Sequence, residues 1–230
     1  MEDILKYAAE NTVPSVNQMR QGSFYGDMNA PHPRILFVGN SITLHSVAEH
    51  IGWTRLCGMA ASCENADYVH QLMNRLAADH PRIGYAIAQA ADWEREYWQP
   101  EQALETIAPA HEWDPDIVIL RLSENTPAEA LAEHDYLKAT VDFLKWLNPS
   151  GKAKYIVTDG FWPNPPKDLV MYQAAQAVNA RFVSLTDLGQ RDEMKATGLF
   201  EHTGVAAHPG DAGMRAIAER LYCVIRDMIG

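Results

Sequence analysis

Along the chain, short unbroken apolar runs alternate with longer stretches whose apolar residues recur every three or four positions. Unbroken runs of this kind read as strands buried on both faces of a parallel sheet, and the three-to-four spacing as helices with one face on a core. The clearest run is Arg34-Ile35-Leu36-Phe37-Val38, residues 34–38, which stops at Gly39-Asn40-Ser41. Further strands are predicted at 83–88, 116–122, 155–158 and 182–185. Helices are predicted over 42–53, where Leu44, Val47, Ala48 and Ile51 share a face, and over 66–78, 98–108, 128–147, 167–177 and 213–228.

Strand and helix therefore alternate about five times, which implies a parallel sheet covered on both faces. With right-handed crossovers the expected architecture is a three-layer α/β/α, doubly wound, flavodoxin-like domain. Residues 34–230 are assigned to it. Residues 1–33, with a short helical stretch near 4–10 followed by Gly, Asn and Pro, lack the apolar content for a core of their own. They are read as a leader that packs on the main domain or mediates association.

Composition narrows the class of function. A chain of 230 residues, 47% hydrophobic and 21% charged, is long enough for one large core. Its net charge of −11 argues against nucleic acid and anionic membrane surfaces as partners, since both require basic patches. Cys57, Cys63 and Cys223 have no zinc-type spacing and read as free thiols in a reducing compartment. The first residues carry no secretory signal pattern, and no apolar run approaches the ~18 residues of a membrane span. The expected setting is the cytoplasm.

Three groups of chemically capable residues fall at carboxyl ends of predicted strands or before the last helix: Ser41, Ser123-Glu124-Asn125, and His208 within Ala207-His208-Pro209-Gly210-Asp211-Ala212-Gly213. In a doubly wound sheet these positions share one rim. A lone serine after a strand is ordinarily a helix N-cap. With a histidine and an amide on the same rim it reads instead as a nucleophile. Ser41 would attack an acyl carbon and His208 would take its proton. The Asn125 amide and the Ser41 N–H would receive the oxyanion. A histidine base with an ordinary pKa would make activity fall below about pH 6.5.

These residues carry a resemblance. Gly39-Asn40-Ser41-Ile42-Thr43 resembles the Gly-Asp-Ser block that opens the SGNH (GDSL) hydrolase superfamily, Ser123-Glu124-Asn125 its Gly-x-Asn block, and His208-Pro209 followed by Gly213 its His-Pro-x-x-x-Gly. Order and spacing match over about residues 34–228. The resemblance implies a flavodoxin-like fold and a serine esterase acting on small acyl esters, acetyl above all, with carbohydrate as a plausible alcohol. A non-catalytic carbohydrate-binding protein and an acyltransferase are the rival readings.

Two departures from the family pattern stand out. The aspartate usual three residues before the histidine is Val205 here. Glu201, Asp159 or a backbone carbonyl would then have to orient the imidazole. The glycine whose N–H lines the family's oxyanion hole is replaced by alanine, at Ala91, with the 58–62 loop as a competing source of that donor. His45 and Trp162 are candidate pocket residues, with a surface or supporting role the alternative for His45 and ordinary packing the alternative for Trp162. Asp211 is read as a first-turn acid of the last helix, and Gly213 as a close-packing position. No HExxH, P-loop or G-x-G-x-x-G occurs, so neither a metal nor a nucleotide cofactor is expected.

Overall fold

The computed structural model describes residues 24–229. Its strands are β1 (Phe24–Gly26), β2 (Arg34–Gly39), β3 (Gly84–Gln89), β4 (Ile117–Arg121), β5 (Lys154–Thr158) and β6 (Arg181–Val183). They form one sheet in the order β1-β3-β2-β4-β5-β6. Strands β2 to β6 run parallel, and β1 pairs antiparallel with β3, Phe24 opposite Ala88. The chain steps from β2 out to β3 and then back past β2 to β4. Strand order therefore reverses at β2, and the crevice of such a sheet opens at the carboxyl ends of β2 and β4.

The parallel strands fall where the apolar runs predict them. The sixth strand, β1, comes from the segment read as a leader and covers the outer edge of β3. The helical stretch expected at 4–10 lies outside the described residues.

Burial on both faces explains the unbroken apolar run in β2. Ile35 and Phe37 face one helical layer, built on Tyr68–Asp79 and Asp211–Ile225. Leu36 and Val38 face the other, which includes Tyr136–Trp146 and Pro165–Ala177. None of the four retains accessible surface. Each such side chain contributes about 1.5–3 kcal/mol of burial free energy, which holds the strand centrally and its end fixed.

Asp and Asn side-chain caps set three helix starts. The Asp67 carboxylate accepts the His70 N–H at 2.9 Å, Asp135 accepts from Lys138 at 2.9 Å, and Asn164 accepts from Lys167 at 3.4 Å. The Asp135 cap also divides the helix expected over 128–147 into Ala128–Glu133 and Tyr136–Trp146. The helix expected over 98–108 begins at Glu101 and breaks at Ile107, two residues before Pro109.

The helix expected over 42–53 does not form. His45 bridges Cys57 and Ala48 bridges Trp53, and Glu49–Ile51 makes only a 3-10 turn closed by Gly52 at φ 76°. Burial of the Trp53 indole, with its N–H on the His45 carbonyl at 3.2 Å, outweighs the helical pattern. Among the described residues no helix is long and apolar enough to cross a membrane.

Candidate active site

Ser41 stands two residues beyond the end of β2. Gly39 lets the chain turn there, because a Cβ at this position would overlap the Thr43 side chain. The Thr43 and Leu44 N–H groups both return to the Asn40 carbonyl, at 2.9 and 3.0 Å. The Asn40 side chain accepts the Ile42 N–H at 3.3 Å, so Asn40, not Ser41, caps the turn. The Ser41 hydroxyl meets His208 Nε2 at 2.9 Å. Its carbonyl accepts the Met59 N–H at 2.8 Å, and its own N–H has no partner among the described residues.

His208 follows the short helix Thr203–Ala206. Its carbonyl accepts the Ala196 N–H at 2.9 Å, and Lys195 bridges Pro209, which pins the histidine loop against residues 194–196. Gly213 permits this approach, since a Cβ there would strike the Met194 carbonyl. The His208 Nδ1–H donates to the Gly204 carbonyl at 2.6 Å. With that nitrogen as donor, Nε2 is left as an acceptor toward the Ser41 hydroxyl. Burial pushes the imidazole down to about 4; the Gly204 carbonyl opposes that shift and the nearby His45 adds to it.

Of the three sources considered for an orienting group, the carbonyl is the one in contact. Glu201 is exposed, and the Nδ1–H it would have to accept is taken by the Gly204 carbonyl. The Asp159 carboxylate is taken by the Ser184 hydroxyl at 2.6 Å and the Leu185 N–H at 2.5 Å. Val205, at the family's aspartate position, has no accessible surface and belongs to the apolar core.

Asn125 sits on the loop after β4. Its backbone N–H and its side-chain amide both donate to Glu94, at 2.9 and 2.8 Å. An amide nitrogen carries two protons, so one remains beyond the Glu94 bond. Ala91 differs from expectation. It is fully buried and its N–H donates to the Gln89 side chain at 2.9 Å, which leaves no N–H to give an oxyanion. In the 58–62 loop the Gly58, Met59, Ala61 and Ser62 N–H groups are bonded to Asp67, Ser41, Gly58 and Asp211. The Ala60 N–H has no partner among the described residues, and Ala60 adopts φ 74°.

Beneath the serine turn lies a buried polar network that the sequence reading did not anticipate. Arg121, at the end of β4, has no accessible surface and pairs with Glu124 at 2.5 Å. Its guanidinium also donates to the Asn40 side-chain carbonyl. The Asn40 amide donates to Glu124 at 2.7 Å and to Glu94 at 3.1 Å. Burial works against the Glu124 charge, but Arg121 beside it holds the carboxyl below its usual range. Burial, and after it the charge of Glu124, raises Glu94, against the pull of its amide donors. Lys167, its Nζ 3.3 Å from the Glu124 carbonyl, supplies a second cation, so the two carboxylates face two positive charges.

The two candidate pocket residues both lie near His208. Trp162 packs edge-on to the imidazole, ring centroids 5.2 Å apart at 85°, with its indole N–H on the Ala207 carbonyl at 3.2 Å. His45 is buried, donates from its ring to the Ser46 carbonyl at 2.6 Å, and is lowered in pKa chiefly by that burial. Asp211 is the first residue of the last helix, and its carboxylate holds Ser62 by the backbone N–H at 2.8 Å and the hydroxyl at 2.7 Å. Among the described residues no cluster of three or more His, Cys, Asp or Glu could hold a metal ion.

No protein-family model and no curated protein matches the sequence. Solved structures do. The chain is similar to the psychrotrophic esterase EstA from Pseudoalteromonas sp., a structure inhibited by monoethylphosphonate. The TM-score is 0.53 at 14% identity, over 85% of this chain and 98% of that one. It is similar to the acetylxylan esterase Axe2 from Geobacillus stearothermophilus, with TM-score 0.51 at 17% identity, over 86% of this chain and 95% of that one. A family two carbohydrate esterase from Clostridium thermocellum in complex with cellohexaose gives TM-score 0.56 at 13% identity, over 88% of this chain and 66% of that one. At such identities the likeness establishes the α/β/α fold.

Proposed function

We propose that this chain is a serine esterase that removes small acyl groups, acetyl above all, from carbohydrate. The observation that carries the reading is the Ser41 hydroxyl 2.9 Å from an imidazole nitrogen whose ring partner already donates to a carbonyl. Such a pair has the geometry and the tautomer for proton transfer from serine to histidine.

In the reaction, Ser41 Oγ bonds to the acyl carbon while its proton passes to His208 Nε2. The negative charge that develops on the acyl oxygen is received by the Ser41 N–H and by the second amide proton of Asn125. The tetrahedral intermediate collapses as His208 returns the proton to the departing sugar hydroxyl, leaving Ser41 acylated. Water then attacks the acyl carbon and gives its proton to His208, which passes it to the departing Ser41 Oγ as the acid is released, restoring the free hydroxyl and the neutral imidazole. No metal or organic cofactor enters these steps.

Burial of Ser41 to 7% exposure favours a short acyl chain. Trp162 offers an apolar wall beside the base, suited to the face of a sugar ring. The carbohydrate assignment draws further support from the similar structures, two of which are described as an acetylxylan esterase and a carbohydrate esterase. The three free thiols and the acidic balance fit a cytoplasmic enzyme with no nucleic-acid partner.

The test is hydrolysis of p-nitrophenyl acetate and release of acetate from acetylated xylo-oligosaccharides, by wild type and by Ser41→Ala. Loss of both activities in the variant is expected. Equal rates in the two proteins would overturn the nucleophile. Sugar binding without any hydrolysis would replace the esterase by a binding protein on the same fold.

A further inference from the structure

Glu94 lies in the short helix Ala91–Arg95 after β3 and has no accessible surface. Its two carboxylate oxygens collect donors from both sides of the candidate site. Oε1 accepts the Ser123 N–H at 2.6 Å and the Asn125 N–H at 2.9 Å. Oε2 accepts the Asn125 amide at 2.8 Å and the Asn40 amide at 3.1 Å. A single buried carboxylate thus ties the residue beside the nucleophile to the amide expected to receive the oxyanion. Each of these hydrogen bonds comes from an N–H donor, and the Glu124 carboxylate lies close enough to act on its charge.

The turn that Glu94 grips is strained. Ser123 has φ 121°, a region that favours glycine, and it occupies the place where the family resemblance puts a glycine. A serine remains in that conformation only if its surroundings over-determine it. The short bond from its N–H to Glu94 and the second bond two residues later do so, and the Asn125 side chain is aimed as a result.

We propose that Glu94 is the positioning residue of the oxyanion site: it holds the strained 123–125 turn and fixes the Asn125 amide relative to Ser41. The proposal rests on the esterase reading and extends it to a residue outside the three sequence blocks. A glutamine at this position cannot substitute. Whichever way its amide is turned, the NH₂ faces either the Ser123 and Asn125 N–H groups or the Asn125 and Asn40 amides, and one pair of bonds is lost.

Kinetics on p-nitrophenyl acetate would compare wild type, Glu94→Gln, Glu94→Asp, Ser123→Gly and the Glu94→Gln/Ser123→Gly double variant, each with its melting temperature. Misplacement of one oxyanion donor predicts a kcat lowered by about 30- to 100-fold in Glu94→Gln, with KM changed less than about threefold. Glu94→Asp, which keeps the charge but reaches less far, should lie between. Because glycine accepts the conformation of residue 123 without help, the double variant should recover about tenfold of the lost kcat. An undiminished kcat in Glu94→Gln, or no recovery in the double variant, would overturn the proposal. If Glu94→Gln does not fold, Glu94→Asp with and without Ser123→Gly gives the same comparison.

A second readout does not need the esterase reading. In ¹⁵N-labelled wild type the Ser123 and Asn125 amide protons, including the Asn125 side chain, should be downfield and slow to exchange, and Glu94→Gln should abolish both features in one set, either the two backbone amides or the Asn125 side chain. If wild-type turnover proves independent of Ser41, the esterase reading fails while these amides still decide whether Glu94 holds the turn. Unchanged amides would sink the positioning role by themselves.

Discussion

The His208 imidazole donates its Nδ1–H to the Gly204 carbonyl at 2.6 Å, four residues earlier in the short helix that leads to it. This bond occupies the position that an aspartate holds in a full triad. A carbonyl fixes the tautomer as well as a carboxylate does, but it carries no full charge to offset an imidazolium. In serine proteases, replacing the orienting aspartate by asparagine lowers kcat about 10⁴-fold because the imidazole adopts the wrong tautomer. Here the tautomer is right, and only the counter-charge is missing.

Missing counter-charge and burial together predict an acid-tolerant base. His208 is pushed down to about 4, mainly by burial. Catalysis requires the neutral ring, so kcat/KM should stay level from pH 8 to about 5 and fall as pH drops through about 4. The fall below 6.5 expected from sequence assumed a solvated imidazole. Stability follows the same shift: between about 6.5 and 4 the unfolded chain binds a proton that the folded ring refuses, so stability declines as pH falls through that window. A pH–rate profile already halved at 6.5 would show that His208 is not the desolvated base.

An aspartate introduced at position 205 should not complete a triad. Val205 is fully buried in the apolar core, and Gly204, not residue 205, presents the acceptor to His208. Val205→Asp would place a carboxyl among apolar neighbours, at a cost of about 3 kcal/mol or more. Urea denaturation should show that loss, with kcat unchanged or lower. A gain in kcat would mean that the new carboxylate reaches the ring.

Ser41, Asn125 and His208 stood out as candidates because each lies in a local block at a strand end or before a helix, and the contact of Ser41 with His208 follows from a strand pattern that puts those ends on one rim. The 42–53 segment misled because its apolar spacing is helical, while its residues are buried through the His45–Cys57 and Ala48–Trp53 bridges. Ala91 was read as an open donor, but the Gln89 side chain two residues earlier takes its N–H. The Gly204 carbonyl has no sequence signature, since every residue carries one. Glu94 was hidden for a different reason: its importance appears only when the ends of β2, β3 and β4 meet.

The network beneath Ser41 accounts for asparagine where the family pattern has aspartate. The Asn40 amide donates to Glu124 and Glu94, while its carbonyl accepts from Arg121 and Ile42. Asn40→Asp would lose the donor bonds and set a third carboxylate against two. A destabilisation of about 2–4 kcal/mol at pH 7 is expected. The new carboxyl would have a folded pKa raised above its unfolded value, so the deficit should shrink as pH falls toward 4 and reach its full size above the raised pKa. Urea midpoints for wild type and variant at pH 4.5 and 7 would measure it. A deficit independent of pH would point to lost packing instead of charge.

Trp162 makes the last prediction, because it shields the base as well as walling the site. Its ring stands edge-on to His208 at 5.2 Å and its indole N–H is bonded to Ala207, the preceding residue. Trp162→Ala would remove the indole's share of packing, about 2 kcal/mol for a half-buried tryptophan. It would also admit water beside the imidazole. Since burial is what lowers the pKa of His208, solvation should raise it toward 6.5, and the acid limb of kcat/KM should move up by about one pH unit or more. Loss of the apolar wall should raise KM for an acetylated oligosaccharide more than for p-nitrophenyl acetate. A melting temperature lowered with the acid limb unmoved would assign Trp162 to packing alone, whereas a shifted limb ties it to the base.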